Sequence, residues 1–144
     1  MLTANSETII AELDEAECLR LITPGGIGRI AYAGLSGLTV FPVSYRLVDG
    51  AIVFRIAQHS STGEDLRAGI ARADCTVAFE IDDFDDAARE GWSVLVQGSA
   101  HCVGSGSEQA AVLAAGVKPW PDSANDHVIS VTPTRITGRQ IEQG

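Results

Sequence analysis

Cysteine is scarce in this chain of 144 residues: Cys18, Cys75 and Cys102 are odd in number, far apart and never arranged as Cys-x-x-Cys. That pattern excludes a disulfide framework and a zinc site, and the three thiols read as buried core residues. Basic residues are scarce too, with ten Lys and Arg against nineteen Asp and Glu and a net charge of −9. They form no stripe, so a nucleic-acid partner has no electrostatic footing, and any phosphorylated ligand must find a local positive site. Long apolar runs are missing. No stretch approaches the roughly 20 residues of a membrane helix, and Met1 to Glu7 lacks the basic and apolar regions of a secretion signal. The expectation is a cytoplasmic protein with no membrane partner. Repeats, low-complexity runs and linkers are absent as well. Residues 1–144 therefore read as one domain, with 45% hydrophobic residues to fill a core that needs no staples.

What is present is mostly β. Asp14 and Glu17 stand at the spacing of an N-cap and its return partner, with Leu13 and Cys18 placed as a hydrophobic staple, which predicts a short helix to about Ile22. Thr23-Pro24-Gly25-Gly26 ends it. Strand-forming segments follow at 28–33, 38–48, 51–57, 75–81, 92–103 and 127–141, and about six strands in a short chain predict a barrel. Thr39, Phe41, Val43, Tyr45 and Leu47 alternate as one apolar face, and Asp49-Gly50 is a favoured hairpin turn. That turn pairs Val48 with Ala51, Leu47 with Ile52 and Tyr45 with Phe54, leaving Ser44, Arg46 and Arg55 on the opposite face. Thr62 can cap a second helix carrying Leu66 and Ile70. Ser107 can cap a third, carrying Ala110, Val112 and Leu113 and ending at Gly116. Residues 117–126, with Pro119 and Pro121, read as a loop.

Several motifs suggest chemistry that their surroundings refuse. Gly26-Ile27-Gly28-Arg29-Ile30-Ala31 matches G-x-G-x-x-A, and Asp49 lies near the spacing of a ribose-binding acid. A dinucleotide fingerprint, however, follows a strand and opens a helix, and this one does the reverse. Asp82, Asp83, Asp85 and Asp86 lack the spaced ligands, bend glycine and closing acid of a calcium loop, and read as a solvated loop between strands. His59, His101 and His127 are isolated, and neither Ser93 nor Ser99 sits in G-x-S-x-G. No metal site, triad or hydrolase elbow is therefore supported, and no catalytic side chain is identified.

The segment able to hold a ligand follows the hairpin. Phe54-Arg55-Ile56-Ala57-Gln58-His59-Ser60-Ser61-Thr62 leads from a strand into a helix, where unpaired backbone N–H groups, three hydroxyls and the Arg55 guanidinium could together seat a phosphate. From this spacing alone an ordinary Ser/Thr cap with a surface arginine is the stronger reading. Glu64 and Asp65 already complement the helix dipole, and they repel a dianion unless turned away.

Taken in order, several further segments carry a family likeness. They are Gly-Arg-Ile-Ala at 28–31, Pro-Val-Ser-Tyr at 42–45, Val-Phe-Arg at 53–55, Val-Ala-Phe-Glu-Ile-Asp-Asp-Phe-Asp at 77–85, Gly-Trp-Ser-Val-Leu-Val-Gln-Gly at 91–98 and Ile-Thr-Gly-Arg at 136–139. With them the chain resembles, over nearly its whole length, the pyridoxamine 5'-phosphate oxidase-like flavoproteins common in actinobacteria. The resemblance implies a split β-barrel with short flanking helices, and a homodimer binding FMN at the subunit interface. It implies an FMN-dependent oxidoreductase acting on a small-molecule substrate that the sequence does not name. The flavin ring would lie along Pro42, Val43, Ser44 and Tyr45 and near Phe54, Arg55 and Ile56. Arg55, Ser60, Ser61 and Thr62 would grip the phosphate, and Trp92 and Ser93 would reach the cofactor across the interface. One departure stands out: relatives often carry lysine where this chain has Ser61. Losing that cation costs about 1.5–3 kcal/mol, or about tenfold to a hundredfold in binding. The alternatives are a cofactor-free or small-molecule-sensing dimer, or a relative binding deazaflavin or haem. Trp120 and Arg139 do not securely match the family's C-terminal substrate-binding Trp and Arg.

Overall fold

Asp14 starts the first helix as its spacing predicts: Oδ1 accepts the Glu17 amide at 2.8 Å, and α1 runs Glu15–Ile22. The return half of the cap is not made. Glu17 turns forward instead to Arg20, whose Nε donates to it at 2.8 Å, because a cation one turn on offers a stronger hydrogen bond than the Asp14 amide. The helix stops where Gly25, at φ 81°, and Gly26, at φ 138°, take backbone angles that other residues resist.

The structure is a computed structural model describing residues 8–35, 37–57, 61–71, 75–103, 110–111, 114–116 and 126–143, the side chains of Ala57, Ser61, Thr62, Ala71 and Asp126 excepted. Around α1 its elements are β1 (Thr8–Leu13), β2 (Gly26–Gly34), β3 (Gly37–Val48), β4 (Ala51–Ala57), α2 (Ser61–Ala71), β5 (Thr76–Asp85), β6 (Glu90–Cys102) and β7 (Asp126–Gln143). All seven strands form one antiparallel sheet in the order β1-β7-β4-β3-β2-β5-β6, and β6 also pairs with β7, closing six of them into a ring. This is the mainly β split barrel that the sequence predicts. Ser107 and most of the third predicted helix lie outside the described residues, although Gly116 does turn at φ 72°.

The β3–β4 hairpin shows why register was legible. Asp49 and Gly50 both take positive φ, at 49° and 81°, as a type I′ turn requires. Val48 then pairs with Ala51, Leu47 with Ile52 and Tyr45 with Phe54. Tyr45 and Phe54 are fully buried, with the Phe79 ring between them at centroid distances of 5.5 and 5.7 Å. Ile30, Val43, Ile56, Val77, Ile81, Val94, Val96, Ile129 and Val131 complete the barrel interior. Burying aliphatic side chains of this kind contributes about 1.5–3 kcal/mol each before chain entropy is set against it.

Three expectations are corrected. Thr8–Leu13 is a strand, not read as one because its side chains are almost all exposed; backbone pairing with β7 makes it, and such pairing leaves no hydrophobic periodicity to detect. β5 continues through Asp82, Asp83 and Asp85 instead of giving way to a loop at Ile81, since the ladder to β6 runs on to Asp85–Glu90. Asp85 then caps the turn by accepting the amides of Ala87 and Ala88 at 3.0 and 3.2 Å. Cys18 is buried, but Cys75 is only partly so and Cys102 is exposed, its position being the last residue of β6. Among the described residues no helix is long and apolar enough to cross a membrane.

Candidate functional site

The alternation along β3 and β4 divides the predicted ligand residues into two sets. Val43, Tyr45, Phe54 and Ile56 point inward and belong to the packed core, and the Tyr45 hydroxyl donates to the Ile22 carbonyl at 2.7 Å, tying the barrel to the end of α1. Their side chains are committed, so a ligand meets these residues only through their backbones. Pro42, Ser44 and Arg55 point outward. Pro42 is exposed, Ser44 and Arg55 are half-buried, and the Arg55 Nε is shielded from solvent. Beside Pro42 on the same face of β3 stand Leu38, 91% exposed, and Val40, 64% exposed, which give that face an apolar surface with no covering element among the described residues.

The link from β4 to α2 carries the predicted anion seat. Ser60 lies outside the described residues, and of Ser61 and Thr62 only the backbone is described, as the start of α2. The two acids that argued against a phosphate are both engaged elsewhere. Asp65 accepts the Tyr32 hydroxyl at 3.1 Å and the Leu35 amide at 2.8 Å, and Glu64 accepts from Arg67 at 3.3 Å. Burial and the hydrogen bond to Asp65 push the Tyr32 phenol up to about 12, so Tyr32 stays a donor at physiological pH. Gly34 is required here, because a Cβ would stand 1.9 Å from the Asp65 carboxylate oxygen.

Trp92 and Ser93 stand elsewhere. They lie on β6, and two strands separate β3 from β6 in either direction round the ring, so one chain does not bring the two predicted halves together. Trp92 packs inward against the core. Ser93 faces outward, opposite Arg139 of β7, and lines a groove of about 490 Å3 with Arg139, which the sequence raises without matching it to a role, and Arg135, which it does not single out. The signal was there in the outward alternation of Arg135, Thr137 and Arg139, but which face of a long last strand stays open is not a local property.

A carboxyl pair lies on the outer face of β5. Glu80 and Asp82 both approach Arg29 Nη1, at 3.4 and 3.5 Å. Desolvation, followed by hydrogen bonding to and repulsion by Asp82, pushes Glu80 up to about 7, Arg29 opposing. Glycine in the supposed dinucleotide motif has a packing cause: a Cβ on Gly28 would lie 2.2 Å from the Phe79 ring.

Comparison with known proteins fits this architecture. Residues 14–140 match the family model described as pyridoxamine 5'-phosphate oxidase. An uncharacterized protein of Mycobacterium tuberculosis strain H37Rv is 34% identical over 132 residues, covering 92% of this chain and 86% of its own. The solved structure of an FAD binding protein from Mycobacterium smegmatis superposes with a TM-score of 0.73 at 29% identity, covering 90% of this chain and 98% of its own. A FAD-binding protein from Mesorhizobium loti shares the fold, with a TM-score of 0.73 at 19% identity over 94% of this chain and 99% of its own.

Proposed function

This chain belongs to the pyridoxamine 5'-phosphate oxidase family, and from that premise we propose that it is a flavin-binding oxidoreductase that works as a homodimer, with FMN in a cleft between two copies. The observation that carries the reading is the separation of the two predicted halves on opposite sides of one ring. Pro42 to Tyr45 and Ser93 meet a common ligand only if Ser93 comes from a second chain.

The residues present suit such a group. With the barrel interior filled by Tyr45, Phe54 and Phe79, the flavin lies outside it, against the apolar surface of Leu38, Val40 and Pro42. Backbone groups of β3 hydrogen-bond the ring edge and orient it. Arg55 binds the phosphate together with the first turn of α2, whose acids are held by Tyr32, Leu35 and Arg67. A second copy closing over Leu38 and Val40 excludes water from the ring. The flavin supplies the electron transfer when bound, and the protein supplies binding and orientation. FAD is the cofactor named for the Mycobacterium smegmatis relative, and the same seat accepts the FMN moiety that FAD contains.

The test is an absorbance titration of purified protein with FMN and with FAD, repeated on Arg55→Ala. Binding weakened about tenfold to a hundredfold in the variant is expected for loss of one charge-assisted phosphate contact. An unchanged affinity would remove Arg55 from the site. Ser61 in place of lysine favours a second reading, a dimer that senses a small molecule without a flavin. Protein that stays colourless with both flavins would support it.

A further inference from the structure

The outer faces of β6, β7 and β1 meet in a groove of about 490 Å3, within the range of small-molecule sites. Its lining is mixed: Ile10 and Leu95 give it apolar patches, while Leu13 and Ile136 also pack against the barrel core beneath it. Across them reach Arg135 and Arg139, both exposed. These two arginines differ from most others. Arg20, Arg29, Arg46 and Arg67 each engage a carboxylate or a carbonyl, whereas the side chains of Arg135 and Arg139 make no hydrogen bond or ion pair among the described residues.

Glu12 is the single acid lining the groove, opposite Arg139 in register. One carboxylate leaves the pair of guanidiniums with a net positive charge, on a chain whose total is −9. Ser93 and Thr137 add hydroxyl donors on the same face. Arg135 and Arg139 are four residues apart on one strand face, so their backbones are about 13 Å apart. That spacing suits an elongated ligand better than a compact ion. One guanidinium can grip a phosphate through two parallel N–H donors while the other lies over a planar ring, with the Ile10 and Leu95 side chains available to the ring's edges.

We propose that this groove is a nucleotide-binding subsite in which Arg135 and Arg139 hold the phosphate and the base of an adenylate-like ligand. Two sources carry that chemistry: the distal half of an FAD whose flavin end is seated elsewhere, or a separate nucleotide. Only the first rests on the flavin reading above.

Calorimetric titration of the full chain with AMP tests the site. Wild type should bind AMP, with affinity falling as salt rises, and Arg135→Ala and Arg139→Ala should each weaken it about tenfold or more. Both side chains are exposed, and thermal unfolding of the variants checks that the fold is kept. Absence of AMP binding, or binding that the double variant leaves unchanged, overturns the proposal. Given AMP binding, FAD binding more tightly than FMN by a margin that the arginine variants erase assigns the groove to the cofactor. Equal affinities for FAD and FMN, with AMP still binding the FMN-loaded protein, assign it to a separate nucleotide. Failure of both flavins to bind would sink the flavin reading while leaving the AMP result to stand or fall alone.

Discussion

The Tyr32 phenol donates to the Asp65 carboxylate at 3.1 Å, joining β2 to the first turns of α2. The same carboxylate accepts the Leu35 amide at 2.8 Å, so one side chain fixes both the β2–β3 turn and the helix that starts the proposed anion seat. An acid that appeared from sequence to oppose a phosphate is in fact turned to structural work.

Asp65→Ala should therefore destabilise the fold by about 1–3 kcal/mol, since it removes the acceptor that the buried Tyr32 phenol shares with the Leu35 amide. Denaturant unfolding measures the loss. Asp65→Asn keeps an acceptor but removes the charge, and it should bring the Tyr32 titration down from about 12 toward that of free tyrosine, read by absorbance of the phenolate.

Glu80 makes stability depend on pH. Its carboxyl, ordinarily near 4.5, is pushed up to about 7 in the folded chain, so between those values the unfolded chain releases a proton that the folded chain keeps. Folding thus loses stability as pH rises from about 4.5 to about 7, and the penalty is constant above that and absent below. Glu80→Gln should remove this fall and melt higher than wild type at pH 8. With 35% of the side chain exposed, screening keeps the gain under about 1 kcal/mol. A wild-type melting profile parallel to the variant's across that window would contradict the assignment.

Gly28→Ala should cost about 1–3 kcal/mol, because the new methyl would meet the Phe79 ring at 2.2 Å and that ring is pinned by Tyr45 and Phe54. Gly50→Asn is the control: nothing lies within 4 Å of its Cβ position and its φ of 81° suits asparagine better than most residues. It should cost well under about 1 kcal/mol.

Leu38→Asp probes the proposed dimer. At 91% exposure Leu38 contributes little to the fold of one chain, so the variant should melt as wild type does. If two copies close over this face, sedimentation should show a wild-type dimer and a variant monomer. A monomeric wild type at micromolar concentration would count against the interface and against a cofactor held between copies.

Local chemistry made much of this molecule legible. Asp14 could be read as a cap because its carboxylate meets an amide three residues on, and Asp49-Gly50 as a type I′ turn because both residues must take positive φ. Given the turn, the β3–β4 register and the inward set from Val43 to Ile56 followed from a period of two. β1 was invisible for the opposite reason. Its stability comes from pairing with residues more than a hundred positions away, and its exposed side chains carry no pattern of that partnership.

The amino-acid sequence by itself determined the β-rich barrel, its caps and turns, and which alternate residues enter the core, because each depends on interactions within a few residues or within one hairpin. Tertiary structure alone decided that Asp65 faces Tyr32, that Phe79 explains Gly28, that Ser93 sits across the ring from Pro42, and that Arg135 and Arg139 line an open groove. Those facts depend on strand order and ring closure, which bring distant segments together through contacts that no short stretch of chain encodes.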